Sequence, residues 1–185
     1  MRLPALSVIV LFAFLSGCLF GGSGVTTAEQ LSSVRDAYMG AGQLTPDTMN
    51  VREQYRGEIL PFRSTINQVG GNDGAALKAY LNGSLSLVHM ADATEEALTL
   101  LQNVNMDAPE CGTNSPVSRA IGLLEDARTD AESAYDDFTV VQENVNIANA
   151  LGADYILNAF ETTAAVVLAH GERIKELKTA CGFSV

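Results

Sequence analysis

The sequence predicts an all-α protein, an elongated antiparallel up-down four-helix bundle with a short additional N-terminal helix. Apolar residues recur at alternating spacings of four and three over long stretches, which is the spacing of a seam between packed helices. Aromatic residues make up only 6% of the chain and tryptophan is absent, a composition that suits closely packed helices better than a β-sandwich. We find no stretch of four or more residues that favours a strand.

The first two predicted helices precede a glycine-rich turn. A short helix is expected within residues 26–42, with a threonine as its N-cap and glycines at its end. The second helix is expected to begin at Thr45, which caps it, with Pro46 in the first helical position. Because Pro61 removes one backbone hydrogen bond inside this helix, we expect a kink there or a break near Gly57.

The third predicted helix follows the clearest turn of the chain, residues 70–74 with the sequence GGNDG. It is expected to cover residues 73–105, with an interruption favoured at Gly83 because glycine costs about 1 kcal/mol in a helix interior. Its predicted seam consists of Tyr80, Ser84, Leu87, Ala91, Thr94, Leu98 and Leu101.

The fourth and fifth predicted helices form a hairpin. The fourth begins with Ser115 as its N-cap and Pro116 in its first turn, and the fifth ends at about Ala180. Residues 143–149 are the weakest helical stretch and contain three asparagines, so we place the turn there. The seam of the fourth helix consists of Ala120, Leu124, Ala127, Ala131, Ala134, Phe138, Val141 and Val145. The seam of the fifth consists of Ile156, Phe160, Thr163, Val167, His170, Ile174, Leu177 and Cys181.

The N-terminal segment has the pattern of an export signal. Arg2 supplies a positive charge, and residues 6–15 form an apolar run of ten residues, about half of what a membrane-spanning helix needs. The run ends in Leu-Ser-Gly-Cys at residues 15–18, which resembles the lipobox of prokaryotic lipoproteins at all four positions. The resemblance covers only the first 18 residues.

This resemblance implies that residues 1–17 are a cleaved signal peptide and that the sulfur of Cys18 carries a lipid. Residues 18–25 are then the lipidated cysteine and a flexible tether, and residues 26–185 a single helical-bundle domain. The expected location is the cell membrane, with a lipid anchor and the bundle facing outside the cytoplasm. An uncleaved anchor helix is the alternative.

The two remaining cysteines, Cys111 and Cys181, are expected to form a disulfide. Their midpoint is residue 146, inside the asparagine-rich turn, so a helical hairpin folded there brings both cysteines to the same end. Outside the cytoplasm an even number of cysteines is normally oxidised. Two free thiols are the alternative, and a catalytic cysteine is disfavoured because Cys111 has no neighbouring histidine.

Composition and motifs exclude several classes of function. A net charge of −11 repels phosphate backbones, so nucleic-acid binding is not expected. The motifs for a P-loop, a dinucleotide, covalent haem, a di-iron centre or an HExxH zinc site are all absent. Candidate ligand-binding residues are His170, on the fifth seam, and His89 with Asp92, on one face of the third helix. A core histidine and a solvated polar face are the competing interpretations.

We therefore expect a non-enzymatic helical interaction or structural module of the cell envelope, without a cofactor. Its expected partners are membrane lipid through Cys18 and another envelope protein. The alternative is a bundle that binds a small ligand, a metal or haem in its interior, which His170 and the small side chains of the fourth helix would favour. No residue pattern favours an enzyme, although the fold alone does not determine function.

Overall fold

A computed structural model describes residues 24–39 and 49–184 of the chain. Over these ranges the protein is an all-α bundle without strands, which confirms the predicted fold class. The helices are α1 (Gly24–Met39), α2 (Met49–Ile59), α3 (Phe62–Ile66), α4 (Gly71–Leu101), α5 (Pro116–Glu143), α6 (Val145–Leu151) and α7 (Ala153–Ala180). None of them is long and apolar enough to cross a membrane. Residues 1–17, Cys18 and the predicted helix start at Thr45 lie outside the described residues.

Three long helices, α4, α5 and α7, form the framework of the bundle. The central helix is α5, which packs antiparallel against α4 on one side and against α7 on the other. No Cα atom of α4 lies within 8 Å of a Cα atom of α7. The short helices α1, α2, α3 and α6 pack together and against the first part of α4, where the prediction placed a fourth long helix.

The central position of α5 depends on the small side chains of its buried face. Seven of its eight predicted seam residues are buried: Ala120, Leu124, Ala127, Ala131, Ala134, Phe138 and Val141. The prediction is wrong for Val145, which is 66% exposed because α5 ends at Glu143 and the chain continues into α6. The predicted N-cap is confirmed, since the Oγ of Ser115 accepts a hydrogen bond from the backbone N–H of Ser118 at 3.2 Å.

The second predicted helix is interrupted at Pro61, which is one of the two positions where a kink or break was expected. Its first part, α2, ends at Ile59 and its second part, α3, begins at Phe62. Proline has no N–H group and cannot continue the hydrogen-bond ladder of α2. The apolar stripe survives the break, because Ile59 and Phe62 are both buried.

The long helix α4 is continuous, so the interruption expected at Gly83 does not occur. A Cβ atom at Gly83 would lie 3.3 Å from Cε2 of Phe138 and 3.2 Å from Cβ of Asp137, so glycine here allows α4 and α5 to approach closely. Leu98 was predicted on the seam but is 54% exposed. The short helices reach α4 only up to about Glu95, which bonds Arg52 of α2.

The hairpin of α5 and α7 turns where the asparagines predicted it, although the turn contains the short helix α6. Asn144 caps α6 by accepting a hydrogen bond from the N–H of Ile147 at 3.2 Å, and Gly152 adopts a φ of +94° before α7. At the other end of the hairpin Cys111 and Cys181 form a disulfide with Cα atoms 5.4 Å apart. Closing a loop of 70 residues stabilises the fold by about 4 kcal/mol in the chain-entropy description.

Candidate functional site

Arg35 of α1 is buried where α1, α6 and α7 meet, with only 6% of its surface exposed. Its guanidinium lies over the ring of Tyr155, 4.1 Å from the ring centroid. It donates hydrogen bonds to the carbonyl oxygen of Leu151, to Oγ of Ser32 at 2.9 Å and, from Nε, to the carboxylate of Asp36 at 2.8 Å. The charge of Arg35 is therefore balanced by a half-exposed carboxylate on one side and by an aromatic face on the other.

Four hydroxyl groups in the same part of the core have no hydrogen-bond partner among the described residues: those of Tyr55, Tyr80, Ser84 and Tyr155. The hydroxyls of Tyr80 and Ser84 are close enough to shift the pKa of Tyr55, yet none of these pairs has hydrogen-bond geometry. Burial raises the pKa of all three phenols, and Arg35 partly offsets this at Tyr80. The tyrosines are neutral near neutral pH, so they supply neither a base nor a nucleophile.

A second buried arginine fastens α2 to α4. Arg52 is 4% exposed, and its guanidinium bonds Oδ1 of Asp92 at 2.5 Å and the carboxylate of Glu95. Arg56, one turn further along α2, donates a hydrogen bond to Oδ2 of Asp92 at 3.2 Å. Since both carboxylate oxygens of Asp92 are engaged by arginines, this candidate ligand residue contributes to the contact between two helices.

The two histidines and Asp92 do not converge on one site. His89 is exposed on α4 and faces Asp130 of α5. Burial raises the pKa of Asp130, and the electrostatic attraction of His89 offsets part of this rise. His170 of α7 is half-buried, with Nε2 lying 3.4 Å from Oγ1 of Thr94. Burial lowers the pKa of His170, so its imidazole is neutral near neutral pH, and its Nδ1 has no hydrogen-bond partner within the part of the chain that the structure describes. Across the described ranges, no three His, Cys, Asp or Glu side chains are grouped so as to hold a metal ion.

A groove of about 510 Å³ runs between α5 and α7 on the surface of the bundle. Its lining residues are Glu132, Tyr135, Asp136, Ala164, Val167 and Leu168. Tyr135 stacks on Phe160 with 4.4 Å between ring centroids, which fixes the aromatic part of this surface. Leu168 is 71% exposed and Leu157, about three helical turns earlier on the same face of α7, is 45% exposed. The groove therefore combines one exposed leucine, Leu168, with two carboxylates, and Leu157 adds exposed apolar area further along α7.

The sequence prediction missed the buried arginines and the groove. A signal for the arginines was present, because Arg35 follows the buried Leu31 by four residues and Arg52 precedes the buried Tyr55 by three. Both arginines thus share a helical face with core residues. Leu168 gave no such signal, since its neighbour Val167 fitted the predicted seam and one exposed leucine on a helix is ordinary.

No family model, curated protein or solved structure matches this chain. The contacts, charges and exposed surfaces described above are accordingly what define its candidate functions.

Replacing Tyr155 with phenylalanine is expected to stabilise the protein by about 1 kcal/mol, because an unpaired buried hydroxyl costs about 1–3 kcal/mol and the ring that supports Arg35 remains. The measurement is the free energy of unfolding from chemical denaturation. Tyr38→Phe is the control: the hydroxyl of Tyr38 donates a hydrogen bond to Glu58, so this variant should gain nothing. A clear loss of stability in Tyr155→Phe would show that the buried hydroxyl has a partner.

Proposed function

We propose that this protein is a lipid-anchored module of the cell envelope that binds another protein outside the cytoplasm. Residues 1–17 serve as its signal peptide and Cys18 carries the lipid. The match of residues 15–18 to the lipobox supports this, as does the short apolar run before it. The disulfide between Cys111 and Cys181 supports it independently, because disulfides persist mainly outside the cytoplasm.

The observation that carries the binding role is the groove between α5 and α7. An exposed apolar patch bordered by polar residues is typical of a protein-interaction surface. Leu157 and Leu168 supply apolar area that the bundle itself leaves exposed. Glu132 and Asp136 line the same groove, and Glu132 is partly balanced by Arg128 at 3.0 Å. A matching partner surface carries apolar side chains flanked by lysine or arginine.

A second candidate function, binding of a small polar ligand inside the bundle, is favoured by the four unpaired hydroxyls near Arg35. A ligand that both donates and accepts hydrogen bonds would pair these groups. The two candidates differ in their expectation for Tyr155→Phe in protein that retains the ligand, because loss of a ligand contact then destabilises the protein, whereas removal of an unpaired hydroxyl stabilises it.

Replacing Cys18 with serine is expected to release the protein from the membrane fraction. A lipid with two acyl chains contributes about 0.8 kcal/mol per buried methylene and therefore holds the protein firmly at the bilayer. Fractionation of cells, followed by mass measurement of the mature N-terminus, tests both the attachment and the cleavage. The control is the double variant Cys111→Ser, Cys181→Ser, which loses the disulfide but should stay with the membrane. Retention of Cys18→Ser in the membrane fraction contradicts the lipid anchor.

A photo-reactive residue at position 168 is expected to crosslink to a partner protein in intact cells, whereas the same residue at position 99, which is exposed on α4 away from the groove, is not. Reversing the charges with Glu132→Arg and Asp136→Arg together should remove the crosslink, because a basic partner is then repelled. Equal crosslinking from both positions, or no effect of the charge reversal, would exclude the groove as the binding surface.

A further inference from the structure

The beginning of α1 lies at one end of the bundle, beside the beginning of α4. A Cβ atom at Gly24 would lie 2.7 Å from Cβ of Asp73. Asp73 in turn accepts a hydrogen bond from the side-chain amide of Asn144 at 2.9 Å, at the junction of α5 and α6. Three chain segments, residues 24–25, 72–73 and 144–146, therefore meet at this end, which we call the proximal pole.

The length of chain before Gly24 ties this pole to the proposed anchor. The predicted tether of residues 18–25 is wrong at its C-terminal side, and so is the predicted threonine cap, because α1 already begins at Gly24. The six residue steps from Cys18 to Gly24 reach at most about 21 Å when fully extended. The helix α4, with 31 residues, is about 46 Å long, and the disulfide lies at its far end. Because the reach of the tether is less than half of this length, a lipid on Cys18 holds the proximal pole near the bilayer.

We propose that the proximal pole rests on the membrane surface and that Val25 and Val145 contact the lipid headgroup region. This inference rests on the proposed lipid attachment at Cys18. Val25 is 37% exposed and Val145 is 66% exposed, so both present apolar area at the pole. The occupant of this surface is therefore the bilayer into which the anchor inserts.

The distribution of charge favours an upright bundle over one that lies flat. One exposed carboxylate, that of Glu143, adjoins the exposed uncharged side chains of Asn72 and Asn146 at the pole, and the carboxylate of Asp73 is half-buried and held by Asn144. The chain as a whole carries a net charge of −11, and many of its carboxylates lie along the sides of the long helices, so an anionic bilayer repels the flanks. An upright orientation places Leu168, fifteen residues into α7, about 23 Å above the start of that helix, where a partner protein reaches the groove.

The test uses the full lipidated protein, reconstituted in vesicles of phosphatidylcholine and anionic phosphatidylglycerol that contain a lipid with a nitroxide quencher on its headgroup. A fluorescent label is attached to a single introduced cysteine, in Val145→Cys, Thr129→Cys or Gln102→Cys. These positions lie at the pole, on the flank and at the far end of α4, and all three are exposed. The introduced cysteine is the only free thiol, because Cys111 and Cys181 are paired and Cys18 carries the lipid.

The label at position 145 is expected to lose most of its fluorescence, while the labels at positions 129 and 102 keep theirs. Equal quenching at positions 145 and 129 overturns the proposal, because the bundle then lies flat. Quenching only at position 102, or at no position, overturns it as well, since the pole is then away from the lipid. Flotation of the same samples with the vesicles tests the lipid anchor separately, so failure of the anchor is distinguished from failure of the orientation.

Discussion

The close approach of α5 to its two long neighbours is the constraint on which the rest of this fold depends. Four alanines on the buried face of α5 are fully inaccessible to solvent. On α4, Gly83 has no side chain, and the ring of Phe138 packs against its backbone. Small residues let helix backbones approach, so many weak dispersion contacts form along both interfaces. The framework is thus held by shape complementarity between closely packed helices.

The separation between α4 and α7 explains where the buried tyrosines and arginines lie. Because α4 and α7 do not approach each other closely, the space between their first halves is filled by tyrosines and by the short helices. Tyr80, Phe138 and Tyr155 meet edge to face at 6.3–6.5 Å between ring centroids. Arg35 connects α1 to Tyr155 of this cluster and Arg52 connects α2 to α4, so α1 and α2 are each attached by a buried guanidinium as well as by apolar contacts. These guanidinium contacts give α1 and α2 a defined position.

The framework was predictable from the sequence because it follows from local rules. The spacing of the alanines on α5, the Ser115 cap and the break at Pro61 each depend on neighbours within a few residues. The replacement of the fourth long helix by short ones was not predictable, since it depends on packing between α1 and α6, whose residues are more than one hundred positions apart. The sequence indicated His89 and Asp92 as ligand candidates because they share a face of one helix. It could not show that His89 faces α5 and Asp92 faces α2, since this also depends on packing between distant segments.

The proposed anchor and the proposed binding surface are connected by this framework. Three long helices, closed at the far end by the disulfide, hold the groove of α5 and α7 at a fixed distance from the end that carries the proposed tether.

The most direct test of the framework is the free energy of unfolding of Ala131→Leu, compared with Ala169→Leu on the exposed face of α7. Overpacking a tight core costs about 1–3 kcal/mol, so Ala131→Leu should lose that much while Ala169→Leu changes stability by less than about 0.5 kcal/mol. Equal stability of the two variants would contradict the account, because the helices could then not be in close contact at Ala131.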